Sequence, residues 1–122
     1  MEPPNKEFFK LNIDGASKEN SGPAGAGGII RDCEDLFIAG FAYSIGITTN
    51  NRAELWALWI GLQLAQDFDI HKLIIETDSM YIVNSMTSPH HQPPTCMESL
   101  HHTCRRASSS LQYAEVKHCT EN

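Results

Sequence analysis

Phe8-Phe9-Lys10-Leu11-Asn12-Ile13-Asp14 alternates strictly: Phe9, Leu11 and Ile13 share one face, and Lys10, Asn12 and Asp14 share the other. That is the period of a half-buried strand, with Gly15 expected to break it. Downstream, Ser21-Gly22-Pro23-Ala24-Gly25 reads as a turn and Ala26–Arg31 as a second strand. The polar Asp32–Asp35 turn leads to a third strand, Phe37–Tyr43. Short connections make these three an antiparallel meander, so the first and third strands point the same way.

Beyond the meander, Thr48-Thr49-Asn50-Asn51 collects good helix-capping residues. Leu55, Leu58, Trp59, Leu62 and Ala65 then fall on one helical stripe. Leu73-Ile74-Ile75, apolar on both faces, reads as a central strand. Short helices are expected over Met80–Met86 and Met97–Ser110, a Pro- and His-bearing loop over Thr87–Thr95, and a fifth strand over Tyr113–Cys119. The fold class is therefore α/β, a mixed five-stranded sheet with helices on its faces: strands 1–3 antiparallel, then parallel strands 4 and 5. Residues 1–7 form a polar, proline-bearing, linker-like lead, and 8–122 form the domain.

The 122 residues suffice for one compact domain, and 41% hydrophobic with 20% charged residues is a globular balance. No apolar run is long enough for a membrane span and no signal peptide opens the chain, so the expected address is intracellular, with no membrane or organic cofactor. The net charge of −6 argues against a strongly basic nucleic-acid binder, although acids that hold metal ions contribute such charge themselves. Cys33, Cys96, Cys104 and Cys119 form no CxxC pair; His101 and His102 between Cys96 and Cys104 are candidate ligands, read in preference as part of a helix with free thiols. The Gly25–Gly28 run leads into a strand, not a helix, and is not a phosphate loop.

Topology gathers three acids. Asp14 closes the first strand at what may be called the top of the sheet, and the helix that starts there carries Glu54 in its first turn. A right-handed crossover returns the next strand parallel to the first, so Asp78 also ends at the top. Taken singly, Asp14-Gly15 reads as a turn, Asn51-x-x-Glu54 as a capping box, and Asp78-Ser79 as a helix cap. Taken together they are a carboxylate cluster that must take up protons or bind a cation. Oxygen-only ligands suit Mg²⁺, with Mn²⁺ as substitute.

Leu11-Asn12-Ile13-Asp14-Gly15-Ala16-Ser17 and Gly25-Ala26-Gly27-Gly28-Ile29-Ile30-Arg31-Asp32 resemble the opening of the plant-type ribonuclease H-like domains. Thr48-Thr49-Asn50-Asn51-Arg52-Ala53-Glu54-Leu55, Glu76-Thr77-Asp78-Ser79 and Glu115-Val116-Lys117-His118 are similar to the later signatures of that family. Such domains occur in non-LTR retrotransposon reverse transcriptases and their short relatives, so a place in a larger polyprotein is expected. The resemblance implies a ribonuclease H-like fold and endonucleolytic hydrolysis of the RNA strand of RNA/DNA hybrids, leaving 3′-hydroxyl and 5′-phosphate ends. It implies that Asp14, Glu54 and Asp78 are the catalytic, metal-binding acids. Asn20, Asn50 and Asn51 would contact the hybrid, and backbone near Gly15 and Ala16 would sense 2′-hydroxyls. The family's fourth acid, in a helix after the fifth strand, lies past a position matching Asn122, so the reading is of a domain cut short there, with impaired activity. The flexible histidine of many cellular relatives has no counterpart, and His118 reads as structural. The alternative function is a catalytically inactive nucleic-acid-binding or interaction module from a partial retrotransposon-derived gene. A plainer alternative is a small acidic α/β domain whose acids only cap and turn.

Overall fold

The computed structural model describes residues 8–88, 93 and 97–119; the 1–7 lead, Cys96 and most of the 89–96 loop lie outside them. The elements are β1 (Phe8–Ser17), β2 (Gly22–Arg31), β3 (Phe37–Thr48), α1 (Asn50–Asp67), β4 (Lys72–Thr77), α2 (Met80–Thr87), α3 (Glu98–Ser109) and β5 (Tyr113–His118). They form one five-stranded sheet in the order β3-β2-β1-β4-β5. β1 pairs antiparallel with β2, and β2 with β3, while β4 lies parallel to both β1 and β5. The mixed sheet and the β1–β4 neighbourhood assumed from the sequence are both present.

Three strand boundaries differ from expectation. Gly15 does not break β1: pairing continues through Ala16↔Gly25 and Ser17↔Ala24, so the strand runs on to Ser17. The turn sits at Lys18–Ser21, with Glu19 and Asn20 in the left-handed region (φ 63° and 26°), and the Gly22–Gly25 stretch read as a turn is the start of β2. Small residues are weak strand formers, but here the ladder to β1 on one side and β3 on the other decides. β3 likewise extends five residues past Tyr43, through one register shift against β2, where Gly46 sits at φ 81°.

Helix α1 lies on β1 and β2 through the stripe read from the sequence: Leu55, Leu58, Leu62 and Ala65 are buried, and Trp59 sits half-buried at its margin. They meet Leu11 and Ile13 of β1, Ile30 of β2, Leu73 and Ile75 of β4, Ile82 of α2 and Cys104 of α3. Each such aliphatic side chain removed from water contributes roughly 1.5–3 kcal/mol, which makes this contact the main clamp between helix and sheet. Ile74, on the other face of β4, is only half-buried.

Candidate metal centre

The three acids reach one point by three different local routes. Asp14 sits within β1, opposite Gly27, with its side chain on the exposed face. Beside it, Gly15 presses against the start of α1: a Cβ there would lie 2.4 Å from the Ala53 carbonyl carbon and oxygen. Only glycine permits that approach, and the approach brings Glu54 alongside Asp14. Asp78 follows the last residue of β4, at the corner where the chain turns into α2. One carboxylate oxygen from each of Asp14, Glu54 and Asp78 lies within 4.8 Å of the others.

The local explanations for each acid do not hold. Asp14 is in a paired strand, not a turn. The N-cap of α1 is Thr49, whose side chain accepts from Arg52 N, so Glu54 is the helix's fifth residue, beyond the first turn and outside any capping box. The N-cap of α2 is Ser79, whose hydroxyl accepts from Ile82 N. None of the three acids caps a helix.

Glu54 is 8% exposed. Its Oε1 accepts a hydrogen bond from Gly15 N at 3.1 Å, and its Oε2 is buried without a partner. Burial pushes its carboxyl from the ordinary 4.5 up to about 7; the Gly15 N–H opposes the rise, and the charges of Asp78 and Asp14 add to it. Two carboxylates at 4.8 Å repel by roughly 3 kcal/mol at an effective dielectric near 20. A hard divalent cation fits this set: all donors are carboxylate oxygens, one is buried and unsatisfied, and two face solvent. Asp14 and Asp78 open onto a cavity of about 380 Å³, which Asn12, Gly27, Glu76 and Cys119 also line.

Asparagines tie the turn after β1 to the helix. Asn20 Oδ1 accepts from Asn50 N, and Asn50 Oδ1 accepts from Ser17 N, each at 2.7 Å. The carbonyl end of both amides is thereby engaged. Asn51, the next residue, is exposed. Gly15 is buried with its N–H on Glu54, whereas its neighbour Ala16 is exposed.

The described residues of the Cys/His stretch do not gather. His101 is buried with Nε2 2.5 Å from the Tyr81 hydroxyl, His102 is exposed, and the Cys104 thiol is buried against the Leu55 carbonyl and pushed up to about 12 by burial. Among the described residues, Asp14, Glu54 and Asp78 are the one group arranged to hold an ion.

A family model described as reverse transcriptase-like matches residues 12–122. The chain belongs to that family. Solved structures agree in fold: RNase H1 from the halophilic archaeon Halobacterium salinarum superposes with a TM-score of 0.88 at 24% identity, covering 93% of this chain and 86% of its own. LC11-RNase H1 in complex with RNA/DNA hybrid superposes with a TM-score of 0.86, also at 24% identity, covering 93% of this chain and 86% of that one. The fold is that of the ribonucleases H.

In sequence, a candidate ribonuclease H protein of Arabidopsis thaliana is 42% identical over 76 residues, which is 62% of this chain and 12% of that protein. Ribonuclease H of Wigglesworthia glossinidia brevipalpis is 39% identical over 82 residues, 67% of this chain and 50% of the enzyme. These matches span half or less of the relatives' own length.

Beside the acids, the fold places Thr77, to which the sequence assigns no role, and His118. Thr77 is 2% exposed directly before Asp78. At the end of β5, His118 Nε2 lies 3.2 Å from the Asp78 carbonyl oxygen, where it can act only as donor. His118 was read as structural, and its bond to main chain is of that kind.

Proposed function

We propose that this chain is a divalent-metal-dependent endonuclease that hydrolyses the RNA strand of RNA/DNA hybrids. The observation that carries the reading is Glu54: a buried carboxylate with one oxygen, Oε2, unpartnered, clustered with two further carboxylates. A protein gains nothing in stability from that arrangement, and a cation satisfies it.

Asp14, Glu54 and Asp78 would hold Mg²⁺, with Mn²⁺ as substitute. When bound, paired divalent ions supply Lewis-acid activation of the attacking water and neutralise charge on the leaving oxygen. Water adds to phosphorus as the 3′-oxygen leaves, which yields 3′-hydroxyl and 5′-phosphate ends. The Gly15 N–H holds Glu54 through Oε1, which restrains the carboxylate beside the other two acids. Ala16, Asn20, Asn50 and Asn51 would face the hybrid; with both carbonyl ends engaged in the fold, Asn20 and Asn50 would offer their NH₂ donors. Such donors suit 2′-hydroxyls and minor-groove acceptors, by which RNA is told from DNA. The hybrid held by the LC11 enzyme of the same fold supports this substrate class, and the reverse transcriptase-like family supports a retroelement-derived setting.

The test is cleavage of an end-labelled RNA/DNA hybrid in Mg²⁺ and in Mn²⁺, beside single-stranded RNA and duplex DNA. Cutting of the hybrid's RNA strand alone, lost in Asp14→Asn, is expected. Hybrid binding without cutting in either metal would replace the enzyme by a binding module.

A further inference from the structure

Asp78 makes no structural contact through its carboxylate among those described, yet the corner that carries it is fastened at three atoms. The Thr77 hydroxyl, buried beneath the corner, accepts from Ser79 N at 3.0 Å. The Thr77 carbonyl accepts from Cys119 N at 2.7 Å, and the Asp78 carbonyl accepts from His118 Nε2. Ser79 then caps α2, with its hydroxyl on Ile82 N and its carbonyl on Val83 N. Thr77 therefore holds the main chain on both sides of Asp78, toward β5 through its carbonyl and toward α2 through its hydroxyl.

From this we infer that Thr77 is a positioning residue for the metal centre: its Oγ1 fixes the β4–α2 corner so that the Asp78 carboxylate stays within reach of Asp14 and Glu54. The inference rests on the reading of the three acids as an ion site. An exposed carboxylate on a short side chain is placed by its main chain, because nothing else restrains it. Freeing Ser79 N lets the corner rotate, and a rotation that moves the carboxylate by an ångström or so spoils a site whose donors must converge on one small ion. Loss of such outer support commonly costs about 10–100-fold in metal affinity. Serine at this position keeps the hydroxyl; valine keeps the shape and removes the acceptor.

The experiment is titration of the 122-residue chain with Mn²⁺, following free Mn²⁺ by paramagnetic resonance, with thermal melting of each metal-free variant alongside. Thr77→Val is expected to weaken Mn²⁺ binding about tenfold or more, and Thr77→Ser to restore it. Ser79→Ala removes the α2 cap but keeps the N–H on Thr77, so it should lower the melting temperature and leave Mn²⁺ affinity unchanged. Thr77→Ala, whose vacated space admits a water to Ser79 N, serves if the valine variant does not fold, with the same loss expected. Wild-type affinity in the valine or alanine variant, or an equal loss in Ser79→Ala, would overturn the positioning role while leaving the ion site standing. No Mn²⁺ binding by the wild type would overturn both.

Discussion

Replacing Glu54 by glutamine should stabilise the metal-free protein at neutral and alkaline pH, and by an amount that the site itself fixes. In the fold the Glu54 carboxyl titrates at about 7 instead of 4.5, chiefly because it is buried. At about 1.4 kcal/mol per pH unit, that rise corresponds to roughly 3 kcal/mol. The sign follows from linkage. Between about pH 4.5 and 7 the native state holds a proton that the unfolded chain has released, so stability falls as pH rises through that window. Below the window both states are protonated and the penalty vanishes; above it the penalty is complete. Glutamine keeps an oxygen for Gly15 N and presents an NH₂ toward Asp14 and Asp78 in place of a third negative charge. Urea unfolding of both proteins in chelator should show little difference near about pH 4 and roughly 3 kcal/mol in favour of glutamine near about pH 8. Adding Mn²⁺ should raise the stability of wild type more than that of the variant. A difference that stays flat across this range would refute the claim that Glu54 is a buried charge held against its solvation.

Asp14→Asn should abolish hybrid cleavage in Mg²⁺ and Mn²⁺ while leaving hybrid binding in chelator intact, read by gel assay and by anisotropy at one fixed salt. Asn51→Ala should weaken hybrid binding with no change in melting temperature, whereas Asn50→Ala, which strips Ser17 N of its acceptor, should also cost about 1 kcal/mol in stability. Gly15→Ala forces a Cβ to 2.4 Å from the Ala53 carbonyl and should destabilise the fold by about 3 kcal/mol or more; unchanged unfolding would mean that α1 is free to retreat from β1.

The order of elements and the meeting of the acids were legible because both follow from period and connection length. Alternation in Phe8–Asp14, a helical stripe from Leu55 to Ala65, and a parallel return into β4 leave few topologies, and those few bring Asp14, Glu54 and Asp78 to one edge. Gly15 was misread because a glycine after an aspartate has a strong local meaning, the turn. Its actual constraint is tertiary, the backbone of Ala53 pressed against it, and no local pattern carries that. The same holds for β2, whose Gly22–Gly25 start is loop-like in composition and becomes strand because it is paired on both sides. Thr77 was invisible for a different reason: a threonine closing a strand is ordinary, and only the position of Ser79 N gives its hydroxyl a task.

Two buried polar side chains in this chain show how a functional group is told from a structural one. His101 is 2% exposed and meets the neutral Tyr81 hydroxyl through Nε2, a contact that fastens α3 to α2. Glu54 is nearly as buried, but its surroundings increase its cost: Oε2 has no donor, and Asp14 and Asp78 face it with like charge. A site shaped only for stability would have supplied a donor or replaced one acid, since each change is a single substitution. Local choices that conflict with the fold persist where something outside the chain resolves the conflict. Here the conflict is one of charge and unmet oxygen lone pairs, and a divalent cation resolves both at once. Such a cation would reach solvent on the side where Asp14 and Asp78 are exposed, and there a phosphate of a bound strand would complete its coordination.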